Sequence, residues 1–332
     1  MFKDKIILIT GGSGFLGQAL TKRLLAFNPK SIRIFSRDES KQELMEEHFQ
    51  DKRLRFFIGD IRDKERLKRA IKDVDIVIHT AALKRVPTAE YNPFEFIKTN
   101  IEGSQNVIDV CMDEKVKICL GISTDKSVSP NNLYGATKLS MEKLFVAASY
   151  FTSQKDTIFT CVRYGNVLGS NGSVIPKFIQ QIKSNEKIKI TDSSMTRFNI
   201  TMDNALDLII NTAKIGKGSE IFIPKLKAYN IMDVKSALFD LLHETDYEMV
   251  GIRPGEKLHE TLINEDEMKY TWKINNMLMI TNPHYELFNE KNLESNYENV
   301  EKENTLSSYS SDKVEKLTIN ELKIIIKNSG LL

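Results

Sequence analysis

Short runs of Val, Ile, Leu and Phe recur through the first half of the chain. Between them lie longer stretches in which apolar residues return every third or fourth position. The short runs are Ile6–Thr10, Ser31–Ser36, Leu54–Ile58, Ile76–His79, Ile118–Ser123 and Ile158–Arg163. Their apolar continuity, without polar alternation, predicts strands covered on both faces. Gly17–Phe27, Lys64–Ile71, Phe94–Glu114 and Leu133–Tyr150 carry the helical period, and Asn28-Pro29 closes the first of them. Strand and helix in alternation predict βαβ units on a parallel sheet. The expected fold class is α/β: a Rossmann-like, doubly wound parallel sheet with a smaller mixed substrate-binding domain.

Past Arg163 the rhythm breaks. The stretch from Tyr164 to Ser173, Tyr-Gly-Asn-Val-Leu-Gly-Ser-Asn-Gly-Ser, is a loop signal. Helices are expected over Val174–Asn185 and Asp203–Ile215, and a strand over Glu220–Pro224. The expected division is a nucleotide-binding domain over 1–165, rejoined by parts of 200–230, and a mainly substrate-binding domain over 166–288. Residues 289–332 form a polar segment and a last helix. Asn289–Asp312, rich in Asn, Glu and Ser, reads as mobile or surface-wrapping. Thr318-Ile-Asn-Glu321 is a capping box for a helix running through Leu322 to Lys327.

Composition narrows the function classes. The chain has 332 residues, 41% hydrophobic and 28% charged, as in ordinary globular enzymes. Lys+Arg 47 against Asp+Glu 45 leaves +2, so no global field favours nucleic acid or an anionic membrane. No apolar run approaches the ~20 residues of a membrane helix, and no secretory signal opens the chain. The expected location is cytoplasmic. Cys111, Cys119 and Cys161 lack CxxC spacing and read as buried hydrophobes of a reduced compartment. No cluster has metal-ligand spacing, so no metal is expected.

Thr10-Gly-Gly-Ser-Gly-Phe-Leu-Gly17 follows the first strand and opens the first helix. Gly11, Gly14 and Gly17 permit a tight turn, close approach of a pyrophosphate and close packing of helix on strand, with Phe15 and Leu16 alongside. The helix N-terminus favours the anion. At the end of the second strand stand Ser36, Arg37 and, close behind, Lys41. A hydroxyl and a guanidinium suit a 2′-phosphate, so the expected cofactor is NADP, tightly bound and regenerated each turnover. The other reading leaves Arg37 solvated and gives Asp38 to the ribose of NAD. Asp60 and Ile61 after the third strand are placed for adenine, although Asp60 could equally cap the next helix. Ala81, after the fourth strand, leaves room for the cofactor chain.

Tyr134 and Lys138 lie four apart on a helix, on one face. The ammonium can depress the phenol pKa and let Tyr134 relay a proton from an alcohol. Ser123-Thr124-Asp125-Lys126 just upstream adds a second acid and base. Taken alone, Asp125-Lys126 could be an exposed ion pair and Thr124 a turn cap. Behind a buried strand and ahead of Tyr-x-x-x-Lys, they read as catalytic.

These residues resemble the extended short-chain dehydrogenase/reductases that act on nucleotide sugars. Within them, several segments are similar to the configuration-inverting UDP-N-acetylglucosamine 4,6-dehydratases, of the soluble type that opens pseudaminic acid biosynthesis. The segments are His79-Thr-Ala-Ala-Leu-Lys-Arg-Val-Pro87 with Glu90-Tyr-Asn-Pro93, Ser123-Thr-Asp-Lys126, Asn132-Leu-Tyr-Gly-Ala-Thr-Lys138, Arg163-Tyr-Gly-Asn-Val-Leu-Gly169 and Arg253-Pro-Gly-Glu-Lys-Leu-His-Glu260. The resemblance spans most of residues 5–263. It implies polysaccharide biosynthesis, a UDP-sugar substrate, and a homo-oligomer, dimer or hexamer. Relatives that retain C5 configuration carry Asp-Glu where this chain has Asp125-Lys126. The resemblance therefore implies inversion, with Lys126 removing the C5 proton and Asp125 assisting loss of the C6 hydroxyl from a 4-keto intermediate. Hydride would return to C6, giving a β-L-arabino 4-keto-6-deoxy sugar. A lysine base must be neutral, and Lys84 and Lys138 are the cations expected to favour that form.

On the substrate side, Asn166 and the loop bearing Gly172, Ser173 and Val174 offer donors to a diphosphate. Arg253 and Glu256 suit a phosphate clamp and a ribose acceptor, Thr196 and Arg197 a further contact, and Lys84 a reach to sugar or diphosphate. That loop could also be a plain connector. His79 and His259 read as structural. Competing functions are a UDP-N-acetylhexosamine epimerase, a non-catalytic NADP-binding module and a simple reductase.

Overall fold

The computed structural model describes residues 1–151, 157–170, 173–284 and 296–332. Six strands coincide closely with the apolar runs: β1 (Ile6–Thr10), β2 (Ser31–Ser36), β3 (Leu54–Ile58), β4 (Ile76–His79), β5 (Ile118–Ile122) and β6 (Ile158–Val162). They pair in parallel in the order β3-β2-β1-β4-β5-β6. Ile221–Pro224 extends this sheet in parallel beside β6. Met277–Ile280, Thr271–Ile274 and Val300–Lys302 then close it with antiparallel pairs.

The sheet is covered on both faces, as the apolar continuity of its strands requires. Helix α1 (Phe15–Leu25) and the Met202–Ile215 helix pack Leu20, Leu24, Leu206 and Ile209 on one face. The Lys64–Ile71, Gly103–Asp113 and Leu133–Ala148 helices bring Leu67, Val107, Met141 and Phe145 to the other. A third apolar cluster lies apart. It joins Phe178 and Ile182 of the Val174–Lys183 helix, Val234 and Leu238 of the Ile231–Leu241 helix, and Leu322 and Ile326 of the Ile319–Asn328 helix.

Several elements depart from expectation. Phe94–Glu114 is not one helix: Pro93–Phe96 leads into a π-helical stretch, Ile97–Glu102, before Gly103–Asp113. The wider turn seats Asn100 against the loop after β4, where its side chain bonds the Leu83 backbone on both sides and Thr137. A further helix, Glu39–Phe49, is capped by Asp38. The first part of 289–312 lies outside the described residues. The rest is not a loose wrap: Val300–Lys302 joins the main sheet and Tyr309–Ser310 pairs with Thr261–Ile263. The capping box at Thr318 and Glu321 forms as expected. No described helix is long and apolar enough to cross a membrane.

Candidate functional site

At the carboxyl ends of the strands, where β1 lies between β2 and β4, a cavity of about 460 Å³ opens. In open α/β sheets this is where ligands bind. Its floor is the loop into α1. Gly11 has φ +67°, and a Cβ there would come 2.9 Å from the Ala81 backbone. Only glycine permits that approach, so the glycine turn and Ala81 are one feature. Gly14, Phe15, Leu16 and Gly17 line the same cavity, with the free N-terminus of α1 behind them.

One end of the cavity is lined by Ser36, Arg37, Lys41, Asp60 and Ile61. Asp60 does not cap the next helix; Asp63 does, accepting from the Arg66 amide at 2.9 Å. Asp60 instead binds Arg62 at 2.7 Å and lies 3.5 Å from Arg37. Burial pushes its carboxyl up, and the Arg62 and Arg37 charges bring it below the usual range. Asp38 accepts from the Lys41 amide and lies 2.8 Å from the Lys41 ammonium. It is thereby engaged before any ribose arrives.

At the other end stand Thr124, Tyr134, Lys138, Lys84 and Asn166. Asn132 caps the Leu133–Ala148 helix by accepting from the Gly135 amide, which sets Tyr134 and Lys138 on its first turns. A Cβ on Gly135 would collide with the Lys126 carbonyl oxygen. That glycine, part of the Asn132–Lys138 segment, lets the Tyr134 helix lie against the Asp125-Lys126 turn.

That turn is a 3-10 helix, Asp125–Ser127, capped by Thr124. Thr124 Oγ1 donates to Asp125 Oδ1 at 2.9 Å, and Lys126 Nζ donates to the same oxygen at 3.0 Å. The pair is not an exposed ion pair: Asp125 is buried, and the Lys126 side chain is one-fifth exposed. Lys126 Nζ also lies 3.4 Å from Asn166 Oδ1 and 3.8 Å from Glu260 Oε1.

Two electrostatic expectations are corrected. Burial pulls Lys126 down, but the Asp125 and Glu260 carboxylates more than reverse it, so its ammonium is held above the ordinary range. Lys84 and Lys138 do not set that balance. Tyr134 is raised rather than depressed, because its burial outweighs the opposing pull of Lys126 and of Thr124. Lys138 faces the Met141 sulfur at 2.9 Å, and burial brings it down to about 8 against the pull of Cys161 and Glu142.

A smaller cavity of about 150 Å³ adjoins the first, and Asn166 and Val167 line both. Ser173, Val174, Arg197, Arg253 and Glu256 line it, from segments far apart in sequence. Lys177, Lys189 and Tyr229 join them and were missed, since isolated residues of a helix and two short strands give no motif. Thr196 is not part of that wall. It is buried, its hydroxyl 2.8 Å from His259 Nδ1 and 2.7 Å from Ser311 Oγ, and it braces the strand that carries Arg197. Gly172 lies outside the described residues. His79 is fully engaged between Thr10 and Ser104, and burial takes it down to about 3.

Behind the site, the buried Arg163 bridges Glu142 at 2.6 Å and Glu267 at 2.8 Å. Ser127 Oγ donates to Glu142 Oε1 at 2.9 Å, tying the 3-10 turn to the same network. Glu142, Glu267 and Ser127 carry no sequence signal, and Arg163 stands out only as the first residue of a shared segment.

A Rossmann sheet with a glycine turn at its switch point, a buried Tyr-x-x-x-Lys helix and a second cavity beside it define an extended short-chain dehydrogenase/reductase architecture. The chain belongs to the family described as polysaccharide biosynthesis protein, whose model matches residues 7–282. It is 49% identical over 283 residues to UDP-N-acetylglucosamine 4,6-dehydratase (inverting) of Campylobacter jejuni subsp. jejuni serotype O:23/36, covering 85% of this chain and 84% of that one. It is 39% identical over 333 residues to a UDP-glucose 4-epimerase of Rickettsia bellii, covering 99% and 97%. Among solved structures, Pen from Bacillus thuringiensis superposes with a TM-score of 0.92 at 41% identity, covering 100% of both chains.

Proposed function

We propose that this chain is a UDP-N-acetylglucosamine 4,6-dehydratase, a lyase that works through a bound nicotinamide cofactor and inverts C5. The observation that carries the reading is Lys126, paired with Asp125 and 3.4 Å from Asn166, a residue that lines both cavities. A reductase needs only Tyr134 and Lys138. The added acid and base serve elimination from an oxidised sugar.

A nicotinamide supplies a hydride acceptor and donor when bound. The protein's residues do the rest. Gly11, Gly14 and the α1 N-terminus would hold the pyrophosphate. Ser36, Arg37 and Lys41 would hold a 2′-phosphate. Asp38, already engaged as a helix cap, supports NADP over NAD. Tyr134, in the phenolate form that Lys126 and Thr124 favour, takes the proton of the C4 hydroxyl. Lys126 removes the C5 proton, acidified by the C4 ketone, and Asp125 assists departure of the C6 hydroxyl. The smaller cavity takes the UDP moiety, with Arg253, Lys177, Lys189 and Arg197 available to its charge.

The test is to incubate the purified protein with UDP-N-acetylglucosamine in heavy water and follow the product by NMR and mass. Loss of one water, deuterium at C5 and the L-arabino configuration are expected. The epimerase reading is favoured by the near-complete overlap with the Rickettsia relative. A product of unchanged mass would establish it instead. Titration of NADP and NAD against the protein stripped of nucleotide should give the tighter constant for NADP.

A further inference from the structure

Glu260 has no part in the reaction as set out above, yet its carboxylate stands beside the proposed base. It is 3% exposed. Oε1 lies 3.8 Å from Lys126 Nζ and 3.6 Å from Arg197 Nε. Oε2 is buried and has no hydrogen-bond partner among the described residues. A buried oxygen left unbonded is costly, and protonation or a donor relieves that cost. The backbone around it is fixed. The Glu260 amide donates to Ser311 Oγ at 2.9 Å, and the Ser311 amide donates to the Glu260 carbonyl at 2.8 Å. The C-terminal segment thus presents this carboxylate to the site.

We infer that Glu260 is the proton partner of Lys126. The inference rests on the dehydratase reading and deepens it. A proton passes from Lys126 Nζ to a Glu260 oxygen, across a separation that one bridging water can span. A neutral amine and a neutral carboxylic acid result. The amine takes the C5 proton and becomes ammonium again. That ammonium, with Asp125 assisting, gives a proton to the departing C6 hydroxyl, which leaves as water, and Glu260 returns its own proton to the amine and is a carboxylate again. The substrate has lost a proton and a hydroxide, and the protein ends in the state in which it began. Glu260 acts through Lys126 and is in this sense a positioning residue for its proton.

The surroundings suit such an exchange. Asp125 and Lys126 of the 3-10 turn, Arg197 of the Thr196–Phe198 strand, Tyr229 of the Ala228–Asn230 strand and Lys257 of its own loop face the carboxylate, and Tyr134 faces Lys126. Burial and Asp125 push Glu260 up, against Lys126, Arg197 and Lys257. Lys126 is itself held up by Asp125 and by Glu260, so the raised acid offsets part of the difference between the two proton affinities.

Two measurements decide it, on the full chain and its Glu260→Gln and Glu260→Asp variants. The first is an NMR titration of lysine side chains labelled at Cε, with Lys126→Met used to assign the Lys126 signal. Loss of the Glu260 charge should lower the Lys126 pKa by about one unit. An unmoved titration would overturn the coupling whatever the substrate is. The second is kcat against pH. The wild type should be roughly flat across neutral pH, because the pair carries its proton internally. Glu260→Gln should lose about 10²-fold near neutrality and recover about tenfold per pH unit as solvent takes the Lys126 proton. Glu260→Asp should restore part of the rate with the flat profile. A loss equal at every pH, or no loss, would mean that Glu260 only supports the fold. Should the wild type release no water from UDP-N-acetylglucosamine, the dehydratase reading fails, and the titration alone then decides the coupling.

Discussion

Lys138 shows how one side chain can be placed for chemistry at a cost to stability. Its ammonium is buried against a thioether, and its pKa falls to about 8. An unfolded lysine titrates near about 10.4. Between those values the unfolded chain binds more protons than the folded one, so stability should rise with pH across that window. The penalty is fully present below the folded pKa. Lys138→Met should therefore be more stable than the wild type near neutrality, by on the order of 3 kcal/mol, and should lack the alkaline rise while losing activity. Urea unfolding near pH 7 and pH 9.5 checks both; a variant no more stable than the parent would mean that the ammonium is well accommodated. At this scale the sequence was informative about identity and silent about facing. Tyr134 and Lys138 were legible as a pair, because four residues is a helical repeat. That Lys126 is the cation acting on the Tyr134 phenol depends on how a turn and a helix pack, which no local pattern encodes.

The Leu133–Ala148 helix carries Tyr134, Lys138 and Glu142 at successive intervals of four, all buried. Its inner face is thus polar at each turn, and the third of these residues anchors it. Glu142 pairs with Arg163 from just beyond β6, and Arg163 reaches Glu267 on the Glu265–Met268 helix. Removing one partner of a buried pair leaves a charge uncompensated, at about 3–5 kcal/mol. Glu142→Gln should cost that much, and Glu267→Gln less, because Glu267 keeps 18% exposure to water. Burial pushes Glu142 up, but Arg163 holds it below the usual carboxylate range. Its contribution is present above the unfolded carboxylate pKa and is lost as pH falls through the folded one. Glu142→Gln should therefore flatten the acid limb of stability, measured by denaturant titration carried well below about pH 4. The six parallel strands and the Leu133–Ala148 helix were readable because their apolar period matches their burial. The Glu39–Phe49 helix was not, since only Gln42 and Met45 of it are buried. The Thr271–Ile274 and Met277–Ile280 hairpin did leave a signal: Asn275, with φ 50°, is the left-handed turn residue that an Asn-Asn pair announces.

Across the whole molecule, two apolar clusters flank the main sheet and carry the first cavity, while a third supports the second cavity. The sequence made the first arrangement legible, because a glycine turn and six strands follow one another in order. The second is assembled from Asn166, Arg197, Arg253 and their neighbours only once the chain returns on itself, so single residues could be guessed there but not their company. The last segment completes it. The Leu317 amide bonds the Ala228 carbonyl, and Ala228–Asn230 pairs with Thr196–Phe198, the strand of Arg197. Leu322 and Ile326 are fully buried against the helices of this half. Truncating either to Ala should cost about 2–5 kcal/mol locally. Because that cost falls on one cluster, Leu322→Ala should weaken UDP binding severalfold and leave NADP binding unchanged, by calorimetric titration of each ligand. The reciprocal variant, Leu20→Ala in the packing of α1, should weaken NADP first. If both ligands weaken equally in both variants, the clusters form one cooperative unit, and the division of labour between the two cavities does not extend to stability.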